Sequence, residues 1–125
     1  MSKKRIEKYI PEAMKVLDAT FENGIVPSSY NGYISSFGAS IIQSGLKPTL
    51  ALFENENAKT EEKKQLLPRL ILQVLEKDSE ETSLLHYVLQ RKEQELFLKQ
   101  KILDISIAIK LCIRTFKLDK GKKDE

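Results

Sequence analysis

The feature that most constrains this fold is a stretch from Gly24 to Phe53 that is almost free of charge. It holds four of the five glycines and two of the four prolines, and its one charged residue is Lys47. Charged side chains make up 31% of the whole chain. A segment so depleted in them belongs inside the fold, against a partner, or both. We therefore expect the flanking segments to be helices that surround it.

Residues 3–22 have the apolar spacing of an amphipathic helix. Their apolar residues recur at steps of three or four, namely Ile6, Ile10, Ala13, Leu17 and Phe21. This spacing places them on one helical face. Pro11 lies inside the pattern, where proline removes a backbone hydrogen bond. The sequence therefore predicts a kink or a frayed first turn. The alternative is a regular helix that starts near Pro11, with residues 1–9 forming a separate turn.

The charge-poor stretch itself predicts two helices. The first starts at Pro27-Ser28-Ser29, where a serine hydroxyl can cap free amides, and ends at Gly45. Its inward stripe is Tyr30, Ile34, Phe37 and Ile41. Its glycines make it a weak helix, since each costs up to about 1 kcal/mol relative to alanine, so packing must hold it. A short apolar helix follows from Thr49 to Phe53, with Pro48 in its first turn.

The rest of the chain predicts three more helices. Residues 54–64 and 78–81 are polar connections, and between them an apolar run indicates a helix from Leu67 to Leu75, with Thr60 as a possible start. A short helix over residues 84–89 is capped by Thr82 or Ser83, and residues 91–93 mark a joint. The last helix covers about 93–117. Its core seam is Leu98, Ile102, Ile105, Ile109, Cys112 and Phe116.

A second apolar set lies on another face of this last helix. It consists of Leu96, Leu103, Ile107 and Leu111. Burial within the same domain is the default for such a face. Packing against a neighbouring subunit is the alternative.

These patterns together predict an all-α fold, a compact bundle of five or six helices with a long C-terminal helix. We expect a single domain over residues 1–117 and a charged, disordered tail over 118–125. No apolar run is long enough to cross a bilayer, and the first residues lead into no signal-like segment. Cys112 is the one cysteine, so no internal disulfide is possible. A reducing cytoplasm is therefore the expected compartment.

The residues that could carry catalysis are sparse. His86 is the one histidine and is expected to be half-buried, while Cys112 lies in the core seam. Neither can form a metal site alone, because such sites take three or four ligands. The serines around Phe37 form no nucleophile elbow, and the glycines fit no phosphate-binding loop. The carboxylates at 54–56 and 80–81 are typical of solvated loops. We expect no catalytic residue, no cofactor and no metal.

Basic residues form two helical lines that could bind nucleic acid. The candidates are Lys4, Lys8 and Lys15 on the first helix, and Lys99, Lys110, Arg114 and Lys117 on the last. Such lines can bind phosphates and release counterions, which gives affinity without sequence preference. The alternative is that these cations solvate exposed faces and pair with Glu7, Glu12, Glu95 and Asp104. No aromatic stacking platform is evident, so reading of bases is not expected.

One segment carries a family resemblance. Residues 32–46, GYISSFGASIIQSGL, followed by Pro48-Thr49-Leu50-Ala51, strongly resemble the signature of the small subunit of the Cmr complex, the type III-B CRISPR–Cas RNA-targeting effector. The signature and packing residues are Gly32, Tyr33, Phe37, Gly38, Ala39, Gln43, Gly45 and Pro48. The resemblance implies an all-helical domain present in several copies. These copies stack into a minor filament beside the guide-RNA-bound backbone, and no nuclease activity is assigned to them.

The resemblance also implies a function and a set of partners. It implies a non-catalytic structural subunit of an antiviral ribonucleoprotein, whose filament supports the duplex of guide RNA and target RNA. The implied partners are the large subunit, the backbone subunit, further copies of the chain, and both RNAs through the assembled complex, with no membrane. The alternative is a stand-alone helical adaptor that binds protein only.

Overall fold

Seven α-helices account for most of the residues that the structure, a computed structural model, describes: 3–21, 23–55 and 64–119. They are α1 (Lys3–Glu7), α2 (Ile10–Thr20), α3 (Ser29–Ser44), α4 (Leu46–Phe53), α5 (Leu66–Leu75), α6 (Leu84–Leu89) and α7 (Glu95–Ile113). A 3-10 turn, Lys92–Gln94, leads into α7. Two short strands, β1 (Ile25–Pro27) and β2 (Lys117–Asp119), pair in parallel. The predicted all-α class and the long C-terminal helix are confirmed.

The long helix α7 is the element on which α1, α2, α3 and α5 all pack. The predicted seam faces them: its members from Leu98 to Cys112 are buried, and Phe116 is partly buried against the core. Buried apolar side chains from α1 to α7 form one continuous cluster. Burying a large aliphatic side chain contributes about 1.5–3 kcal/mol, so the contacts on α7 dominate the packing.

The first predicted helix is divided in two. α1 ends at Glu7, a turn follows, and α2 begins at Ile10 with Pro11 in its first turn. Proline fits there because the first amides of a helix have no helical acceptor. The regular helix therefore starts beside Pro11, as in the alternative interpretation, but residues 3–7 form a helix of their own rather than a turn.

Helix α3 buries its predicted stripe of Tyr30, Ile34, Phe37 and Ile41. The Phe37 ring packs edge-on against Phe53 of α4, with 5.1 Å between the ring centroids. The expected serine cap is wrong, because Ser28 makes no capping hydrogen bond and the buried Ser29 hydroxyl has no partner among the described residues. Packing, rather than capping, holds this weak helix in place.

Two side-chain links fix α4 against its neighbours. The hydroxyls of Ser40 and Thr49 lie 2.7 Å apart and join α3 to α4. Glu54, at the end of α4, accepts hydrogen bonds from the Ser83 hydroxyl at 2.6 Å and the Leu85 amide at 2.9 Å. The predicted cap at Ser83 is confirmed, since its hydroxyl also accepts from the His86 amide. The prediction that Glu54 is a solvated loop carboxylate is wrong, because it helps to cap α6.

The two strands tie the end of α7 to the segment before α3. Ile25 pairs with Lys117, Val26 with Leu118 and Pro27 with Asp119. Leu118 and Asp119 belong to the tail that the sequence predicts as disordered, and the structure instead pairs their backbone with β1. The rest of that tail, 120–125, and the helix start expected at Thr60 lie outside the described residues. α5 begins at Leu66, one residue before the predicted start.

Candidate functional site

His86 and Cys112, the two side chains considered for catalysis, have different surroundings. His86 is mostly exposed, not half-buried as predicted, and its Nδ1 lies 4.0 Å from Glu81 Oε1. Cys112 is buried, and burial raises the pKa of its thiol. A thiolate is the reactive form of cysteine, so this thiol is poorly reactive. Within residues 3–21, 23–55 and 64–119, no cluster of His, Cys, Asp and Glu could hold a metal ion.

The predicted basic residues all reach the surface. Lys4, Lys8, Lys15, Arg114 and Lys117 are exposed, and Lys99 and Lys110 are partly exposed. The Lys8 ammonium lies 5.1 Å from the centre of the Tyr9 ring. Helices carry most of these side chains, so the framework presents them to solvent at fixed positions.

The fold brings most of these cations to one end of α7. Three contacts show that the N-terminal segment runs alongside the C-terminal half of α7, in the same direction. Arg5 bonds to Asp104, the Cys112 thiol lies 3.8 Å from the Ile10 carbonyl oxygen, and the Thr115 hydroxyl lies 3.9 Å from Met14 Sδ. Lys4, Lys8 and Lys15 therefore lie on segments beside the half of α7 that holds Lys110. Lys99 is separate, about 16 Å further along the axis of α7.

None of the seven predicted cations forms an ion pair with another described residue. Two of the four carboxylates that the solvation alternative offers as partners are engaged elsewhere: Asp104 pairs with Arg5 at 3.0 Å, and Glu95 with Lys47 at 3.3 Å. Pairing of the candidate cations with Asp104 or Glu95 is therefore wrong. The positive charge of these faces is left available to an anionic partner.

The side chains of Arg5 and Asp104 also help to line an open groove between α3 and α7, which we call the α3–α7 groove. Its volume is about 360 Å³. Its polar residues are Arg5, Ser35, Gln100, Asp104, Ser106 and Lys110, and its apolar residues are Ile34, Gly38, Ile42, Leu103 and Ile107. Asp104 is buried and accepts from both Arg5 and Gln100, each at 3.0 Å. The carboxylate is thus already satisfied within the chain.

The second apolar face of α7 is divided between core and surface. Leu103 and Ile107 are partly buried against the core. Leu96 is 83% exposed and Leu111 is 41% exposed. The default of burial in the domain does not describe the whole set, because only its middle lies in the α3–α7 groove. Packing of Leu96 and Leu111 against a neighbouring subunit stays a prediction.

The residues of the signature segment have three different surroundings. Phe37 is buried, and Tyr33 is partly buried with its ring 5.7 Å from that of Tyr30. Gly38 lines the groove, and Gly45 ends α3 with a φ of 99°. The remaining four are exposed and do not pack in the core of this chain: Gly32, Ala39, Gln43 and Pro48.

Sequence reasoning missed the Arg5–Asp104 pair. A signal was present, because Asp104 is the one acidic residue from Ile102 to Ile113, where the other residues are apolar except Ser106 and Lys110. A lone carboxylate in such a run is costly to bury without a partner. The identity of the partner, 99 residues away, was not predictable from local pattern.

The fold and these surfaces define a class: an all-helical protein that offers cations and an open groove for contact with other macromolecules. The family model described as CRISPR-associated protein (Cas_Cmr5) matches residues 2–112. The chain therefore belongs to the Cas_Cmr5 family, the small subunit of the type III-B Cmr complex. No curated protein and no solved structure matches the chain significantly. None of the described helices has the length and apolar character needed to span a membrane.

Proposed function

We propose that this protein is a non-catalytic structural subunit whose copies stack in a minor filament of the type III-B effector and support the duplex of guide RNA and target RNA in antiviral defence. The observation that carries the RNA contact is the set of seven cations without an ion pair in the described part of the chain. Family membership supplies the assembly in which this charge acts.

The lysines act through the phosphate backbone. A lysine that neutralises a phosphate releases a counterion, so the affinity gained is independent of sequence and falls as salt rises. The site reads no bases, because proteins read RNA sequence mainly from unpaired bases, whereas the bases of a guide–target duplex are paired. Lys4, Lys8, Lys15 and the cations of α7 therefore hold an RNA duplex whose sequence is set by guide–target pairing.

Protein contacts supply the rest of the role. The partners are the large subunit, the backbone subunit and further copies of the chain, in the cytoplasm. Large apolar side chains outside the α3–α7 groove are exposed and available for contacts between copies: Leu52, Leu89 and Phe97. Stacking through different patches on successive copies extends a filament, whereas a self-complementary patch closes a dimer.

The experiment that tests this function is purification of the tagged chain from its native host. Mass spectrometry should identify the other Cmr subunits, and sequencing should identify a bound guide RNA. Recovery of partner proteins without any RNA, over a range of low salt concentrations, would favour the stand-alone adaptor. Recovery of the chain alone would overturn the assembly role.

Catalysis is tested separately. The purified chain should show no metal-dependent nuclease activity on single-stranded or duplex RNA. Activity that co-purifies with the chain and is lost in His86→Ala would overturn the non-catalytic assignment. Activity that persists in His86→Ala and separates from the chain on a further column is a contaminant and leaves the assignment intact.

A further inference from the structure

The α3–α7 groove has the shape of a docking site for a helix. Ile42, at its α3 side, is 73% exposed although it is a large aliphatic residue. Across the groove, Leu103 and Ile107 of α7 are partly exposed. Exposed aliphatic side chains of this kind, grouped beside a concave surface, indicate an interaction site.

The wall of the groove also permits close approach. A Cβ atom placed on Gly38 would meet no other atom within 4 Å. The absence of a side chain there leaves room that a partner's side chain can occupy. From Gln100 to Lys110 the part of α7 that lines the groove extends about 15 Å, nearly three helical turns. An open groove of this length can accept a short helix.

Charge decides which helix fits. The groove is lined by two cations, Arg5 and Lys110, and by one carboxylate, Asp104. Asp104 is 2% exposed and bonded to Arg5, so it cannot serve an incoming cation. Lys110 has no ion pair among the described residues. Because Lys110 carries the unpaired charge at the rim, a carboxylate on the occupant would complete the site.

A second copy of the chain is a poor occupant. Two copies meeting through the same groove would oppose Lys110 to Lys110, and like charges disfavour such contacts. Among the described α-helices, none presents an exposed carboxylate at helical spacing from exposed large aliphatic residues. The nearest arrangement, Glu93 with Leu96, spans the 3-10 turn before α7 and lies on the helix that itself lines the groove.

We propose that the α3–α7 groove docks an acidic amphipathic helix of a different subunit, with aliphatic side chains on Ile42, Leu103 and Ile107 and a carboxylate on Lys110. Lys110 then serves this protein contact rather than the RNA contact. This inference rests on the proposed function as a subunit of a larger assembly. RNA is a less suitable occupant, because a phosphate backbone would leave Ile42, Leu103 and Ile107 without an apolar partner.

A matched pair of glycine variants tests the site. Gly38→Leu fills the groove, whereas Gly32→Leu adds the same side chain to α3 at a position outside it, where space is also open. In competition with wild type for a place in the purified assembly, Gly38→Leu should be incorporated about ten-fold less, the size of effect expected at the centre of an interface. Gly32→Leu should compete equally with wild type.

A second pair of variants tests the site even if the glycine variants fail to fold. Ile42→Glu places a repelling charge in the proposed contact, and Gln73→Glu adds the same charge on α5, outside the groove. Both native residues are exposed, so both variants should melt like wild type. Ile42→Glu alone should lose incorporation. Equal incorporation of both glutamate variants and of both leucine variants would overturn the docking site.

The occupant is identified by a photo-cross-linking amino acid at position 42 in the assembled complex. The expected product joins position 42 to a helical segment of another subunit that carries Asp or Glu beside aliphatic residues. Lys110→Glu should lose incorporation, because it opposes two carboxylates. Reversing the partner's carboxylate to lysine should restore it. A cross-link to residues 93–97 of a second copy, or to RNA, would overturn the proposed occupant. If wild type itself fails to enter a Cmr assembly, it is the proposed function that fails.

Discussion

The guanidinium of Arg5 and the carboxylate of Asp104 form an ion pair across 3.0 Å, between residues 99 positions apart in the chain. The Asp104 side chain is 3% exposed and that of Arg5 is 46% exposed, so the pair lies at the boundary of core and solvent. It attaches α1 to α7 and sets the polar part of the α3–α7 groove. Without Arg5, the buried carboxylate would still accept a hydrogen bond from the Gln100 amide.

Replacing Arg5 by alanine should lower the free energy of unfolding by about 1–3 kcal/mol, because a buried acceptor loses a charged donor. Urea unfolding followed by circular dichroism measures this. Lys4→Ala, at the neighbouring exposed position, should change stability by less than about 0.5 kcal/mol. Equal effects of the two variants would show that the ion pair contributes nothing specific.

Removing the Phe37 ring should destabilise the fold by about 3–5 kcal/mol, since the ring is fully buried against Phe53 and leaves a cavity. Thermal melting of Phe37→Ala measures the loss. The exposed neighbour supplies the control, Ser36→Ala, which should melt like wild type. Lost assembly with unaltered melting of Phe37→Ala would place the ring in an interface instead.

The link between α3 and α4 depends on glycine at position 45. Its φ of 99° and ψ of 163° fall in a region that is essentially restricted to glycine. Gly45→Ala should therefore destabilise the protein by about 1–3 kcal/mol. Gly32→Ala, inside α3 with open space around it, should be neutral or stabilise by up to about 1 kcal/mol. Denaturant unfolding of both variants compares the positions, and a neutral Gly45→Ala would contradict the backbone argument.

The Cys112 thiol should react slowly with iodoacetamide in the folded protein. Burial raises its pKa above the ordinary value of 9.0, because an apolar environment disfavours the thiolate. The rate in native protein should therefore rise at higher pH than the rate in urea-unfolded protein. The neutral thiol also contributes to the free energy of unfolding. This contribution is present below the pKa of the unfolded state and is lost as pH rises through the pKa of the folded state. Identical pH profiles of alkylation for folded and unfolded protein would refute this.

Reversing the charge of Lys4, Lys8 and Lys99 together should weaken RNA retention by the assembled complex, with a shallower dependence on salt, because fewer counterions are released. Lys110 is left unchanged, since it is assigned to the α3–α7 groove. Filter binding over a salt series measures both quantities. The matched control reverses Arg69, Lys77 and Lys92, which are exposed outside the proposed RNA contacts. Unchanged retention in the threefold variant would leave pure protein scaffolding as the better account.

The helices could be predicted from local sequence pattern, because the residues that specify each helix lie within a few positions of one another. The spacing from Leu98 to Cys112 places those side chains on one face of any helix, and the structure buries that face. Ser83 caps α6 through an amide three residues away. The break near Pro11 was anticipated as an alternative, although the helical state of residues 3–7 was not. Each of these depends on periodicity, backbone geometry or a neighbouring amide.

Long-range partners could not be predicted in the same way. The sequence suggests a solvated loop for Glu54 and a surface partner of lysines for Asp104, and each carboxylate is instead bonded to a group far along the chain. The pairing of β1 with β2 joins Ile25 to Lys117, and three-residue strands carry almost no pattern of their own. The α3–α7 groove is of the same kind, since its lining comes from three helices that only packing brings together.

The sequence by itself determined the all-α class, the buried faces of α3 and α7, the family signature and the candidate cations. It did so because helical periodicity and charge depletion are properties of contiguous residues. Tertiary structure alone decided that Asp104 is held by Arg5, that the candidate cations form no ion pair with a described residue, and that an aliphatic groove stays open beside Lys110. Those outcomes depend on which helix faces meet, and that is set by the packing of the whole chain around α7.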